Sequence, residues 1–208
     1  MTDRREKDRG YTLVEALVVM MIFGIVIAIV MGIVIQVSYG AADNMTRVSQ
    51  VRNAELALAQ IDRQVRSGNV ISDPNEESET ASGVPAGDSL RVFTQTDGVH
   101  QCVQWRVKYA DDDERGVLEY RSWDSQWETV GGNVDDWSVV ARDIVANDEH
   151  QAFHKIDTGQ SETSSVQITV FVQGERTQSK PTAVSTTLTG RNTIYGYPVD
   201  SCDNVPAP

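Results

Sequence analysis

Between Ala16 and Ile35 the chain runs for 20 residues without a charged side chain. At 1.5 Å of rise per residue such a run makes a helix about 30 Å long, the thickness of a bilayer hydrocarbon core. A helix that is apolar on every side needs lipid or other apolar helices around it. The ten residues in front, MTDRREKDRG, carry Arg4, Arg5, Lys7 and Arg9 against Asp3, Glu6 and Asp8. Few basic residues follow the run closely, so the positive-inside rule expects a cytoplasmic N-terminus and the bulk of the chain outside. A secretory signal peptide has an apolar core of only about 7–15 residues before small residues at its cleavage site. Gly40-Ala41-Ala42 offers such a site, but the run is too long. A plain single-pass anchor fits the length. Neither explains Glu15, because a carboxylate at the mouth of a membrane segment is costly and marks function. Its bland alternative is an interfacial carboxylate resting among headgroups.

The residues around that carboxylate read Gly10-Tyr11-Thr12-Leu13-Val14-Glu15. With the basic leader before them and the apolar run behind, they resemble the prepilin signal of the type IV filament superfamily. The resemblance implies cleavage between Gly10 and Tyr11 by a prepilin peptidase on the cytoplasmic side. It further implies N-methylation of Tyr11, which stands where the family usually has Phe, and a role for Glu15 in filament assembly. Glu15 would pair with the methylated amine of a neighbouring subunit, since a lone carboxylate among packed apolar helices is penalised by several kcal/mol. Gly before the scissile bond leaves the backbone open to the peptidase. Many members carry a Pro within this segment; Gly32 stands there instead, so no kink is carried over. Gly24, Ala28 and Gly32 recur every four residues and form a small face suited to close helix packing, the alternative being ordinary small membrane residues.

Beyond the membrane the pattern becomes amphipathic. Val48, Val51, Leu58, Ile61 and Val65 recur at three- and four-residue steps, with Ala54, Leu56 and Ala57 nearby and arginines on the other faces. Gly68 is the expected C-terminal cap. Residues 69–88, rich in Gly, Pro, Ser and acidic residues, read as a loop. The period then changes to two at Val103, Trp105, Val107 and Tyr109, at Leu118 and Tyr120, and at Val166, Ile168, Val170 and Val172, with a last strand around Ala183–Leu188. One apolar helix stripe and one apolar sheet face need each other. The expected fold is α+β: a long N-terminal transmembrane and amphipathic helix, the pilin spine, packed on an antiparallel β-sheet head. The expected segments are a leader at 1–10, the spine at 11–67 with its membrane span at about 13–37, and a head at 68–208. Gln60–Arg66 and the stretch Ser185–Asn192 resemble the spine end and closing strand of minor pilins and pseudopilins of the J or W type.

The net charge of −12 disfavours direct nucleic-acid contact, which needs Lys and Arg against phosphate. Cys102 and Cys202 lack the neighbours of a zinc site. In an extracytoplasmic head they are expected to form a disulfide, the alternative being two unpaired thiols. Asp111–Glu114 reads as a solvated turn rather than a calcium loop, and His100, His150 and His154 sit in no metal-binding frame. Trp105, Trp123, Trp127 and Trp137 read as core or edge packing, the sharper alternative being a Trp123/Trp127 contact patch. No catalytic residue, cofactor or metal is expected. The expectation is a minor pilin- or pseudopilin-like structural subunit of the inner membrane, serving a type IV pilus or type II secretion-like filament. Its partners would be the prepilin peptidase, other pilin subunits and an assembly platform protein. The alternative is an uncut, membrane-anchored binding protein with a β-rich head.

Overall fold

The computed structural model describes residues 12–96, 98–110, 115–156, 164–174, 180–190, 196–198 and 200–206. The chain divides into two compact units, residues 1–45 and 46–208. The first is helical throughout its described length beyond Thr12, where α1 (Leu13–Ser67) begins, and all its described residues are exposed. Among the described residues α1 is the one helix long and apolar enough to cross a membrane.

The second unit holds the rest of α1, two short helices, α2 (Glu79–Ser82) and α3 (Trp127–Val130), and one antiparallel sheet. Its strands are β1 (Val70–Ile71), β2 (Ser89–Thr96), β3 (Val99–Tyr109), β4 (Arg115–Asp124), β5 (Ser138–Val145), β6 (Phe153–Ile156), β7 (Ser165–Val172) and β8 (Thr182–Thr189). The path runs β1-β2-β3-β4-β5-β7-β6, with β8 also paired to β7. A strand has two edges, so β8 takes one edge of β7 along its whole length. The other is shared: β5 meets Phe171 and Val172, and β6 meets Ser165–Ile168. This is the α+β helix-on-sheet architecture expected from the pattern.

The helix stripe that reaches the sheet is Gln50, Ala54, Ala57, Leu58, Ile61 and Val65. These positions fall on one face at 100° per residue. Val48 and Leu56, expected in or beside the stripe, lie more than 130° from Ile61 around the helix and are 67% and 63% exposed. Gln50 takes the place instead. Its amide donates to Asp143 Oδ2 at 3.1 Å. Asp143 is left-handed at φ 61° and sits where an extra residue of β5 bulges against β4. Below the stripe lie Leu90, Val92, Val103, Trp105, Val107, Leu118, Phe153, Val166, Ile168 and Val170. Trp105 donates its indole N–H to Gln64 Oε1 at 2.6 Å, so even its polar atom is satisfied by the helix. Gly68 is not a left-handed cap. It is required for space, because a Cβ there would stand 2.7 Å from Val92 Cγ1. Residues 69–88 are also not wholly loop. They contain β1 and α2, the latter capped by Ser78, whose Oγ accepts from the Ala81 N–H at 3.1 Å.

Over β2, β3 and β4 the other sheet face is buried too. Register places three rows across β2, β3 and β4: Ser89–Arg106–Glu119, Arg91–Gln104–Arg121 and Phe93–Cys102–Trp123. Arg106 pairs with Glu119 at 2.8 Å and stacks on Trp137, 3.7 Å from the ring centroid. Glu77, 2% exposed at its side chain, pairs with Arg91 at 3.1 Å and accepts from Gln104 at 2.9 Å. Burial raises the Glu77 carboxyl above its ordinary value, and Arg91 opposes the shift without cancelling it. Burial, reinforced by the Arg106 charge, lowers Arg121 to about 10. The apolar row is closed by the disulfide between Cys102 and Cys202, with Val70, Trp127, Val134, Tyr197 and Val205 packed around it. Trp123 is therefore covered, which removes it from an exposed Trp123/Trp127 patch; Trp127 is half-buried beside it.

Two outcomes follow from this packing. Ile61→Ala leaves a cavity between helix and sheet and lowers stability by about 2–5 kcal/mol in denaturant unfolding, whereas Leu56→Ala stays within about 0.5 kcal/mol. The disulfide spans a sequence separation of 100 residues. Loop-closure entropy then puts the loss for Cys102→Ser/Cys202→Ser at up to about 4–5 kcal/mol, read as a lower denaturation midpoint.

Candidate functional site: the N-terminal assembly segment

The first described residue, Thr12, caps α1. Its Oγ1 accepts from the Glu15 N–H at 3.3 Å and its carbonyl accepts from the Ala16 N–H at 3.2 Å. Thr12-Leu13-Val14-Glu15 thus has the spacing of a capping box, with Ser or Thr at the cap and Glu three residues on. The sequence carries this signal in plain view, although the prepilin pattern draws attention to Glu15 alone. The cap satisfies one backbone donor of the first turn without spending the Glu15 carboxylate. A negative side chain there also complements the positive end of the helix dipole. Glu15 lies in that first turn and is exposed.

The candidate cleavage pair, Gly10 and Tyr11, lies outside the described residues, as does the leader 1–10. Gly24, Ala28 and Gly32 sit on uninterrupted helix, within about 80° of arc. A Cβ added at Gly24 or Gly32 would meet nothing within 4 Å. Nothing in the described chain therefore requires glycine there, although each Gly costs a helix about 1 kcal/mol relative to Ala. Leu17, Val18, Met21, Ile22, Phe23, Ile25, Ile29 and Ile33 are likewise unburied. An apolar helix of this kind needs lipid or another apolar surface around it.

In the head the structure joins Cys102 to Cys202. The Asp111–Glu114 turn lies outside the described residues. Among the described residues no group of three or more His, Cys, Asp or Glu side chains is placed to hold a metal ion. His150 stacks on Phe171, with centroids 5.8 Å apart.

The cap has a measurable consequence. Thr12→Ala removes about 1 kcal/mol of N-terminal helix stabilisation, so the Glu15 amide of the micelle-bound chain exchanges its hydrogen about fivefold faster, with amides beyond Met20 unchanged.

No curated protein matches the chain, and no solved structure does. Residues 5–31 match the prokaryotic N-terminal methylation motif. The match takes in Gly10, Tyr11, the Thr12 cap, Glu15 and most of the apolar run, so the chain carries a type IV prepilin-like N-terminus leading into an apolar helix.

Proposed function

We propose that this protein is a minor pilin- or pseudopilin-like structural subunit, built into a type IV pilus or a type II secretion-like filament. The observation that carries the reading is the methylation motif over residues 5–31, which runs directly into a capped helix whose apolar side chains have no partner in their own unit. In this reading residues 1–10 are a leader, 11–67 the spine and 68–208 the head. Prepilin peptidase cuts after Gly10, and the new amine of Tyr11 is methylated. The subunit crosses the inner membrane once, with its leader in the cytoplasm and its head on the far side.

Each feature of the segment then has a use. The Glu15 carboxylate meets the methylated amine of a neighbouring subunit, which fixes the axial register of one helix on the next. Gly24, Ala28 and Gly32 let that neighbour approach. The buried disulfide suits an oxidising compartment, which supports a head outside the cytoplasm. The spine end at Gln60–Arg66 and the β8 region favour a minor subunit over an abundant one, with an assembly platform protein as a further partner.

Intact mass and N-terminal sequence of the protein from native membranes test the reading. A chain beginning at methylated Tyr11 is the expected result. A chain still beginning at Met1, in cells with active prepilin peptidase, would make it an uncut anchored binding protein instead. A start near Ala41 would make it a secreted soluble domain.

A further inference from the structure

The segment lying on the outer face of β2, β3 and β4 is held in an unusual way. Three of its backbone carbonyls, at alternate residues, each accept a hydrogen bond from a side chain of the face beneath. Arg91 Nη1 donates to Cys202 O at 2.7 Å, Trp127 Nε1 to Asn204 O at 2.9 Å, and Arg121 Nη2 to Pro206 O at 3.0 Å. These contacts read main chain, so they depend on the path of the segment more than on its sequence. The segment is not an added strand: its Val205 N–H turns back to Asp203 O at 2.9 Å. Val205 packs on the Trp123 cluster and Pro206 is buried, while Asp203 and Asn204 face solvent.

Each arginine is held by groups outside the segment, although Arg91 Nη2 also lies 3.7 Å from Asp203 Oδ1 of the segment itself. Arg91 is held by Glu77 at 3.1 Å. Arg121 donates to Gln104 Oε1 at 2.7 and 3.0 Å and to Ala81 O at 3.3 Å, and lies 4.3 Å from the Trp137 ring centroid. Gln104 and Glu77 are themselves bonded to each other. Lifting residues 203–206 would therefore leave these donors in position, which is the preorganisation a binding site needs. The face also holds more donors than the segment uses: Arg91 Nε and Trp123 Nε1 are buried without an acceptor.

We propose that this face is a peptide-binding site, held closed in cis by residues 203–206, which takes a short Val-Pro-bearing segment of a partner protein when the cis segment lifts. The seated segment defines the partner's chemistry: carbonyls presented at alternate residues, a β-branched side chain to pack on the cluster around Trp123, and a proline whose missing N–H leaves no donor to strand against the arginines. The Cys102–Cys202 bond fixes the near end of the lid at Cys202 and leaves residues 203–206 to open. The proposal does not depend on the filament reading.

The test uses the full chain in detergent micelles, shortened only by a stop after Cys202, and a fluorescent peptide, Asp-Asn-Val-Pro, with blocked ends. Fluorescence anisotropy is expected to show saturable binding to the shortened chain and at least tenfold weaker binding to the intact one. Trp127→Phe in the shortened chain keeps the ring, loses the N–H and weakens binding about 3- to 10-fold. If the stop unfolds the head, as judged by near-ultraviolet circular dichroism, intact-length Val205→Asp opens the lid without shortening the chain and must then bind the peptide. Absence of saturable binding to a folded, opened chain overturns the proposal. So does equal binding to the closed chain, or an affinity indifferent to Trp127→Phe.

Discussion

From Cys102 to Val107 strand β3 is buried on both faces, and the rest of the head is arranged around that constraint. Val103, Trp105 and Val107 face the α1 stripe, while Cys102, Gln104 and Arg106 face the opposite way and are no more accessible. An apolar face is covered by an apolar helix at little cost. A face carrying Gln104 with Arg91, Arg106 and Arg121 around it can be covered only if each charge finds a partner, because an unpaired buried charge costs several kcal/mol. That requirement accounts for the buried Glu77, the backbone carbonyls supplied by α2, and the rings of Trp123 and Trp137. The 74–88 connection and residues 196–198 and 200–206 are thus the second layer of the head's core.

This is also where the sequence stops being readable. The alternation of Val103, Trp105, Val107 and Tyr109 announces a half-buried strand, and the run Val166–Val172 does the same. The layout of helix and sheet follows from such patterns. In β2, however, Arg91 stands between Leu90 and Val92 as a solvent-facing residue would, and nothing local reveals that Glu77 and Cys202 enclose it. In β5 the bulge at Asp143 shifts the period in mid-strand, so no template of period two fits Ser138–Val145. Val48 and Leu56 mislead for a related reason. They are apolar and close to the right spacing, but the stripe is centred on Ile61, and only the sheet decides which face of the helix it covers.

At the N-terminus legibility is reversed. The order of leader, Gly10, Tyr11, Glu15 and apolar run is specific enough to be read by eye, and it coincides with the span matched by the methylation motif. There is little tertiary context to mislead, because the described residues of this unit pack on nothing in it. The Thr12 cap adds a purely local point. The first turn is stabilised by a hydroxyl and backbone, so the carboxylate three residues on is not consumed in holding the helix together.

The position of the disulfide has a mechanical side. Suppose the head is pulled between its N-terminal helix and residue 206. Tension reaches Cys102, crosses the sulfur–sulfur bond and leaves through Cys202. The residues between them, most of β3 and all of β4 to β8, lie off the load path. Roughly 340 Å of contour length at about 3.4 Å per residue is withheld from extension. The helix stripe, α2, the β1 and β2 pairings and the contacts of residues 203–206 are what can yield, so this head would behave under load as a short, stiff link.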